Sequence, residues 1–253
     1  MPRRGRKVTD EYCFRENFGA RFGVLDLSFM NLGRFPNFMF GSNPGYFKGI
    51  RALSLRRNKL IRIPPAIRQF QSLCALDLCE NKLRTLPPSL FELRQLRSLE
   101  VGLNQLVRIP EELGHLTKLE NLQLYMNHVE SLPESISRLK NLRNLSLQFN
   151  ELKRLPAGLF SLQRISHLSL FANKITEIPD EICRLKTLRL LWLRACPIKY
   201  LSPKIADLPM LKYLTIDARN ERDCKSSVDE IKHRIKGRRS LELRIESSHT
   251  ARR

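Results

Sequence analysis

The side chains that most often carry out chemistry in proteins are dispersed along this sequence and form no recognisable motif. Neither a P-loop nor a G-x-G-x-x-G stretch is present. The carboxylates cluster only in pairs such as Glu111-Glu112 and Asp180-Glu181. No common spacing relates the five histidines, which are His115, His128, His167, His233 and His249. The sequence therefore predicts a protein that is not an enzyme.

Cysteines are the remaining candidates for a metal site, and they too are scattered. The six are Cys13, Cys74, Cys79, Cys183, Cys196 and Cys224. Cys74 and Cys79 lie five residues apart, but a zinc site needs a second close pair, which the sequence does not supply. We therefore predict no metal and no cofactor. Scattered thiols also predict reduced cysteines in an intracellular protein.

The elements that would position any functional side chain come from a repeat of 23 residues, LxxLxLxxNxLxxLPxxLxxLxx, between Ile50 and Met210. The units begin at Ile50, Leu73, Leu96, Leu119, Leu142, Ile165, Leu188 and Leu211. Apolar residues at positions 4 and 6 alternate as in a short strand. The asparagine at position 9 can satisfy backbone groups where the chain turns. The proline at position 15 is typical of the start of a short helix.

This period and internal pattern predict an α/β solenoid, a leucine-rich repeat horseshoe. We expect a parallel sheet on its concave side and short helices or 3-10 turns on its convex side. The repeat resembles the intracellular 23-residue leucine-rich repeats with an "LP" pair in each unit, as in Ras suppressor protein, Scribble and Erbin. The resemblance covers roughly residues 22 to 218. It implies an adaptor that recognises a protein on the concave face, in small-GTPase or phosphatase signalling.

Both ends depart from the repeat, so we divide the chain into three parts. Residues 1–49 should form an N-terminal cap with a degenerate first repeat and an aromatic insertion of five extra residues. The insertion aromatics either cover the end of the core or form a binding loop. Residues 50–218 hold the tandem repeats, and residues 219–253 form a C-terminal cap and basic tail.

In the C-terminal cap, two segments have the periodicity of regular structure. Val228, Ile231 and Ile235 predict a short amphipathic helix. Leu241, Leu243 and Ile245 alternate as in a last strand, which we place four residues late in register.

Positions 3, 5, 7 and 8 of each unit face or border the concave sheet, and the repeat does not dictate them. Neighbouring strands lie about 4.8 Å apart, so large apolar residues at these positions should line one continuous patch. Exposed patches with Trp and Tyr usually mark an interface. The predicted protein-binding patch is Leu103, Tyr125, Met126, Phe149, Phe171, Trp192 and Arg194. The alternative is structural, with Phe149 tucked into a loop and Phe171 packed on Trp192.

Net charge is the second unusual feature, because 45 Lys and Arg against 25 acids leave +20. Part of the excess falls at the turn entering each strand. This basic flank consists of Arg94, Arg97, Lys118, Lys140, Arg143, Arg164, Lys186, Arg189 and Lys212. Repeated like charges repel and do not help the fold. The flank could bind RNA or anionic lipid, or it could serve only solubility. No aromatics interleave with it, as single-strand binders would require.

The sequence also carries information on location and partners. Its first residues, MPRRGRKVTDEYCF, lack the apolar run of a signal peptide, and no segment reaches the roughly 20 apolar residues of a membrane span. We expect a cytoplasmic protein. The basic runs Arg3 to Lys7 and Lys232 to Arg239 resemble nuclear-localisation signals, so the nucleus is a second expected location. The expected partner is a protein of unknown identity, with no small-molecule substrate and a monomeric chain.

Overall fold

The computed structural model describes residues 23–36, 49–236 and 241–246 of the chain. Within these ranges the alternating apolar residues form ten short strands of one parallel sheet. Its strands are β1 (Val24–Asp26), β2 (Ala52–Ser54), β3 (Ala75–Asp77), β4 (Ser98–Glu100), β5 (Asn121–Gln123), β6 (Asn144–Ser146), β7 (His167–Ser169), β9 (Leu190–Trp192), β11 (Tyr213–Asp217) and β12 (Glu242–Glu246). Strands β8 (Glu177–Ile178) and β10 (Tyr200–Leu201) form a separate parallel pair. The core is a continuous stack of Leu, Ile and Phe from these coils.

Between strands the chain turns back through a 3-10 helix of five residues. These helices are Pro65–Gln69, Pro88–Glu92, Glu111–His115, Glu134–Arg138, Ala157–Ser161, Asp180–Arg184 and Pro203–Asp207. The position-15 proline precedes the helix in extended conformation, as at Pro133 with φ −71° and ψ 150°. Its fixed φ directs the chain out of the preceding turn and into the helix. The predicted horseshoe of parallel strands and 3-10 turns is confirmed.

The position-9 asparagines form a buried ladder between coils. Asn127 Nδ2 donates to the carbonyl oxygens of Val101 at 2.9 Å and Leu124 at 3.0 Å. Its Oδ1 accepts the N–H of Leu106 at 2.9 Å. The same three bonds recur at Asn58, Asn81, Asn104, Asn150 and Asn173. The predicted structural role of these asparagines is therefore confirmed.

The N-terminal coil joins the same sheet. Leu25 in β1 lies opposite Leu53 in β2, an offset of 28 residues that confirms the five-residue insertion. Leu25 and Phe35 are buried in the common core. Residues 1–22 and 37–48, which include the predicted cap and its insertion aromatics, lie outside the described residues.

The C-terminal end adds two helices and a last strand. Helix α1 spans Ala218–Asp223 and helix α2 spans Lys225–Ile235, with Val228 buried as predicted. The predicted last strand is confirmed as β12, but its register was wrong. Leu243 pairs with Leu214, an offset of 29 residues against a period of 23, so the strand comes six residues late and not four. The two helices inserted between β11 and β12 lengthen the connection.

Two parts of the predicted C-terminal tail are not described. Residues 237–240 and 247–253 lie outside the described residues, and with them part of the second basic run. In the portion of the chain that is described, no helix combines the length and apolar character that crossing a membrane requires.

Candidate functional site

The concave face begins with the strand residues on either side of each buried leucine. In most coils the strand covers only positions 3 to 5, so positions 7 and 8 lie in the turn that follows it. Position 8 is left-handed, with φ of 55° at Leu103, 52° at Met126 and 57° at Phe149. Position 8 therefore borders the concave sheet from the turn and does not belong to the strand. A positive φ is costly for side chains branched at Cβ, and none stands at position 8 of these coils.

An aromatic cluster forms where the concave face meets this turn. The rings of Phe149 and Phe171 pack edge to face, with centroids 4.9 Å apart and planes at 85°. The guanidinium of Arg194 lies 5.7 Å from the centre of the Phe171 ring, within range of a cation–π interaction. Phe149 nevertheless remains 41% exposed. The structure thus brings Phe149, Phe171 and Arg194 together, as the sequence predicted.

Trp192 lines a recess beside this cluster. It is 44% exposed, and in the described residues it makes no ring contact, so the expected packing of Phe171 on Trp192 is replaced by the Phe149 contact. The recess has a volume of about 220 Å³. Its walls are Asn144, Leu145, Ser146, His167, Leu168, Ser169, Leu190 and Trp192. It is too small for a typical drug-sized ligand, but it matches the scale of one inserted side chain.

Ser169 is the residue of this recess that the sequence analysis did not select. It is 6% exposed, and its Oγ has no hydrogen-bond partner among the described residues. A buried hydroxyl without a partner is costly, about 1 to 3 kcal/mol. In the sequence, the only feature that marks Ser169 is that it is a small polar residue paired with Trp192 of the adjoining strand.

Tyr125, which belongs to the predicted protein-binding patch, is partly buried and packs between coils. Its ring lies against Gly102, where any added Cβ would collide with ring carbons. Its hydroxyl lies 3.9 Å from Cys79 Sγ, two coils away. Burial raises the pKa of Tyr125 to about 12. Tyr125 therefore connects three coils, and it is a poor candidate for a side chain that acts only in binding a partner.

Charged groups occupy the N-terminal half of the concave face. Arg56 Nη2 lies 2.5 Å from Glu80 Oε1 and Nη1 lies 4.0 Å from Asp77 Oδ2. Arg57 also pairs with Glu80. Hydrogen bonds from Arg57 and Arg56 hold the pKa of Glu80 below its usual value. These charges neutralise one another.

Three ligand-type side chains meet in this half. The ligand atoms of Asp77, Cys79 and Glu100 lie within 4.8 Å of one another. Burial, with a contribution from Asp77, raises the pKa of the Cys79 thiol to about 12, so it stays protonated at neutral pH. Metal binding requires the thiolate. The triplet therefore has the spacing of a cation site, and its protonated thiol opposes that use.

All nine side chains of the basic flank are exposed at the turn before each strand, where the sequence placed them. Arg97 lies 2.5 Å and Arg143 lies 3.9 Å from carboxylate oxygens of Glu120. The basic flank therefore lies where each strand begins, and the aromatic cluster lies where the strands end.

Comparisons with known proteins agree with this geometry. Family models described as "Leucine-rich repeat region" and "Leucine rich repeat" match residues 45–159 and 140–198. Together they span residues 45–198, more than half of the chain. Comparison with curated protein sequences gave no match.

Solved structures show the same fold. A leucine-rich repeat protein of Leptospira interrogans is 32% identical, with a TM-score of 0.73, covering 79% of this chain and 50% of its own. The ectodomain of the Arabidopsis thaliana receptor kinase GASSHO1/SCHENGEN3, solved with CASPARIAN STRIP INTEGRITY FACTOR 2, is 27% identical over 72% of this chain and 22% of its own, with a TM-score of 0.62. The repeat domain of the type III effector XopL has a TM-score of 0.76 at 23% identity, covering 93% and 79%. This chain spans half or less of the first two proteins.

Proposed function

Because this chain belongs to the leucine-rich repeat proteins, we propose that it is a non-catalytic scaffold that binds a partner protein on its concave face. Proteins of this fold generally act by binding other proteins. The repeat explains the leucines, asparagines and prolines, and it leaves the concave side chains free to vary. Function is therefore expected where the concave face departs from what the fold requires.

The observation that carries this proposal is the exposed aromatic site, defined as Phe149, Phe171, Trp192, Arg194 and Ser169. Two of its rings are about two-fifths exposed although the fold gains nothing from their exposure. Covering them would remove apolar surface from water at about 25 cal/mol per Å². Trp and Arg are also the residue types that most often dominate binding energy.

The recess beside Trp192 indicates how a partner would engage. One side chain of the partner inserts between Trp192 and Leu190 and packs against their apolar surface. Phe149 and Phe171 then cover the neighbouring part of the partner. This arrangement places an apolar anchor at the centre of the interface, which is the usual composition of a hot spot.

Two similarities support a peptide or protein as the ligand class. The related plant receptor ectodomain was solved in complex with a protein factor. The "LP" repeats resemble those of intracellular adaptors, and on that basis we propose a cytoplasmic role in small-GTPase or phosphatase signalling.

The proposal is tested by removing the exposed rings and following one captured partner. Partners retained by the full chain from native cytosol are identified by mass spectrometry, and the affinity of the main one is measured by calorimetry. We expect the double variant Phe149→Ala/Trp192→Ala to bind at least about 30-fold more weakly, because losing central anchors typically costs 2 kcal/mol or more.

Phe29→Ala provides the matched control. Phe29 stands in the same left-handed position 8 as Phe149, with φ 61°, but in the first coil, and it is 65% exposed. Its removal should leave the affinity unchanged. Circular dichroism checks that the parent and the double variant are both folded. If they then bind the partner with equal affinity, the binding surface lies elsewhere.

A further inference from the structure

Few charges of the basic flank are neutralised, and they repeat from coil to coil. Among the described residues, Glu120 is the one carboxylate within 4.0 Å of any of its nine cations, and it pairs with Arg97 and Arg143. The other seven have no carboxylate at that distance in this part of the chain. They are Arg94, Lys118, Lys140, Arg164, Lys186, Arg189 and Lys212.

Several of these cations are held in place by neutral groups of the neighbouring coil. Lys118 Nζ donates to Gln95 Oε1 at 2.6 Å, and Arg164 Nη1 donates to Asn141 Oδ1 at 2.9 Å. Lys140 Nζ donates to the carbonyl oxygen of Ser161 at 3.3 Å. Such bonds orient the cation without cancelling its charge.

Some cations that follow the strands are paired with carboxylates. Arg57 pairs with Glu80, and Lys174 Nζ lies 2.8 Å from Glu151 Oε2. Other cations beyond the strands, such as Lys82, Lys153 and Lys199, have no carboxylate within 4.0 Å in the described structure, so the flank differs from that side in its regular repetition from coil to coil. Like charges on adjacent strands repel and oppose folding, so their repetition needs a benefit outside the fold.

We propose that the basic flank binds the phosphate backbone of a nucleic-acid duplex. From the coil that begins at Leu96 to the one that begins at Leu211, the flank crosses five strand intervals, about 24 Å at 4.8 Å each. A duplex carries one charge per roughly 1.7 Å of axis, so about 14 phosphates fall within that length, and roughly half of them face one side. That number is close to the seven unpaired cations.

The side chains around the flank disfavour other polyanions. Single strands are gripped by aromatic platforms, and the exposed aromatics of the described chain lie instead on the concave face or after the strands. Surface binding to membranes buries apolar side chains. In the described part of this flank the one large exposed apolar residue is Met210, at its C-terminal end. A contact made through charge alone fits a duplex backbone read without regard to sequence.

Two triple variants with the same change in net charge test this assignment. Lys140→Glu/Lys186→Glu/Lys212→Glu alters the flank. Lys82→Glu/Lys153→Glu/Lys199→Glu alters three exposed lysines beyond the strands, none of them ion-paired in the described structure. Binding of the full chain to RNA and DNA duplexes of about 20 base pairs is measured by fluorescence anisotropy across a salt series, because the slope of log K against log salt counts the phosphates contacted.

We expect the parent to bind both duplexes with a slope of about −6, from about seven contacts at 0.9 each. The flank variant should lose about 3 units of slope, and the control should keep the parent slope. Equal losses in both variants would overturn the proposal in favour of net charge alone. Absence of duplex binding at low salt would also overturn it, as would binding only to phosphatidylserine vesicles. Tighter binding to RNA than to DNA would support the proposal and add contacts to ribose hydroxyls.

Discussion

The two halves of the concave face use the same backbone positions in opposite ways. In the N-terminal half, Arg56 pairs with Glu80, and Tyr125 packs on Gly102 and reaches back toward Cys79. In the C-terminal half, Trp192 stays exposed above the unpartnered hydroxyl of Ser169. Arg56, Arg57 and Glu80 of the first half pair with one another, whereas Ser169 Oγ of the second half has no partner among the described residues. A concave position therefore marks a binding site only when its neighbours leave it incomplete.

This difference lies in the surface and not in the scaffold beneath it. The asparagine ladder runs under both halves with the same three bonds at Asn81 and Asn150. Changes to the ladder should consequently be insensitive to location, while changes to the surface should separate stability from binding. The following predictions test that separation.

The largest expected effect comes from the ladder. Asn81→Ala and Asn150→Ala each leave one buried N–H without a partner and remove one of the two asparagine hydrogen bonds at each of two carbonyls. Each change should lower the free energy of unfolding by about 3 kcal/mol. Urea denaturation followed by circular dichroism gives both values. Because the environments match, the two losses should agree within about 0.5 kcal/mol. A loss confined to one of them would mean that the halves differ in their scaffold as well.

Tyr125 should show a smaller loss of stability and no loss of binding. Truncating a fully buried aromatic costs about 3 to 5 kcal/mol, so half-buried Tyr125→Ala should cost about 2 kcal/mol. Phe149→Ala, on the exposed side, should cost less than about 0.5 kcal/mol. Thermal melts of the two variants provide the comparison.

Tyr125→Phe refines this prediction. It keeps the ring on Gly102 and removes only the weak contact with Cys79, so its melting temperature should match that of the parent. Tyr125→Phe should also retain the captured partner at full affinity. If Tyr125→Ala were as stable as the parent but no longer bound the captured partner, Tyr125 would belong to the binding site.

Most of the fold was predictable because the repeat determines it locally. The spacing of the leucines predicted the strands, and the amide at position 9 predicted the buried ladder of asparagines. The register of β12 was not predictable, because helix α2 changes the length of the connection and nothing in the alternation of Leu241 and Leu243 records that length.

The candidate site was predictable in part. Exposed rings at variable positions pointed to Phe149 and Trp192, but which rings touch depends on side-chain geometry across coils. The role of Tyr125 depended on Gly102, the small residue one coil away that makes room for the ring. The sequence did not point to Ser169, because whether a hydroxyl lacks a hydrogen-bond partner depends on which groups the folded chain brings near it.

The smallest expected effects concern two carboxylates of the N-terminal half and have opposite signs. Burial, followed by the charge of Asp77, raises the pKa of Glu100 above its usual value. Its ionised form therefore opposes folding at neutral pH, and that opposition disappears as pH falls through the raised pKa. Glu100→Gln should melt slightly higher than the parent at pH 7, and the difference should vanish near pH 4.5, the ordinary value.

Glu80 supplies the opposite case within the same cluster. Hydrogen bonds from Arg57 and Arg56 lower its pKa, so its ionised form supports folding above the ordinary pKa and that support is lost as pH falls through the lowered value. Glu80→Gln should therefore melt lower than the parent at pH 7, with the gap closing in acid. Because both groups are partly solvated, each shift should amount to a few degrees or less. Melting curves of the parent and both variants are measured from pH 7 to about pH 3, because the support from Glu80 is lost below its ordinary pKa of 4.5. Shifts of the same sign at pH 7 would contradict the view that this half neutralises its charges around Glu80 and leaves Glu100 strained.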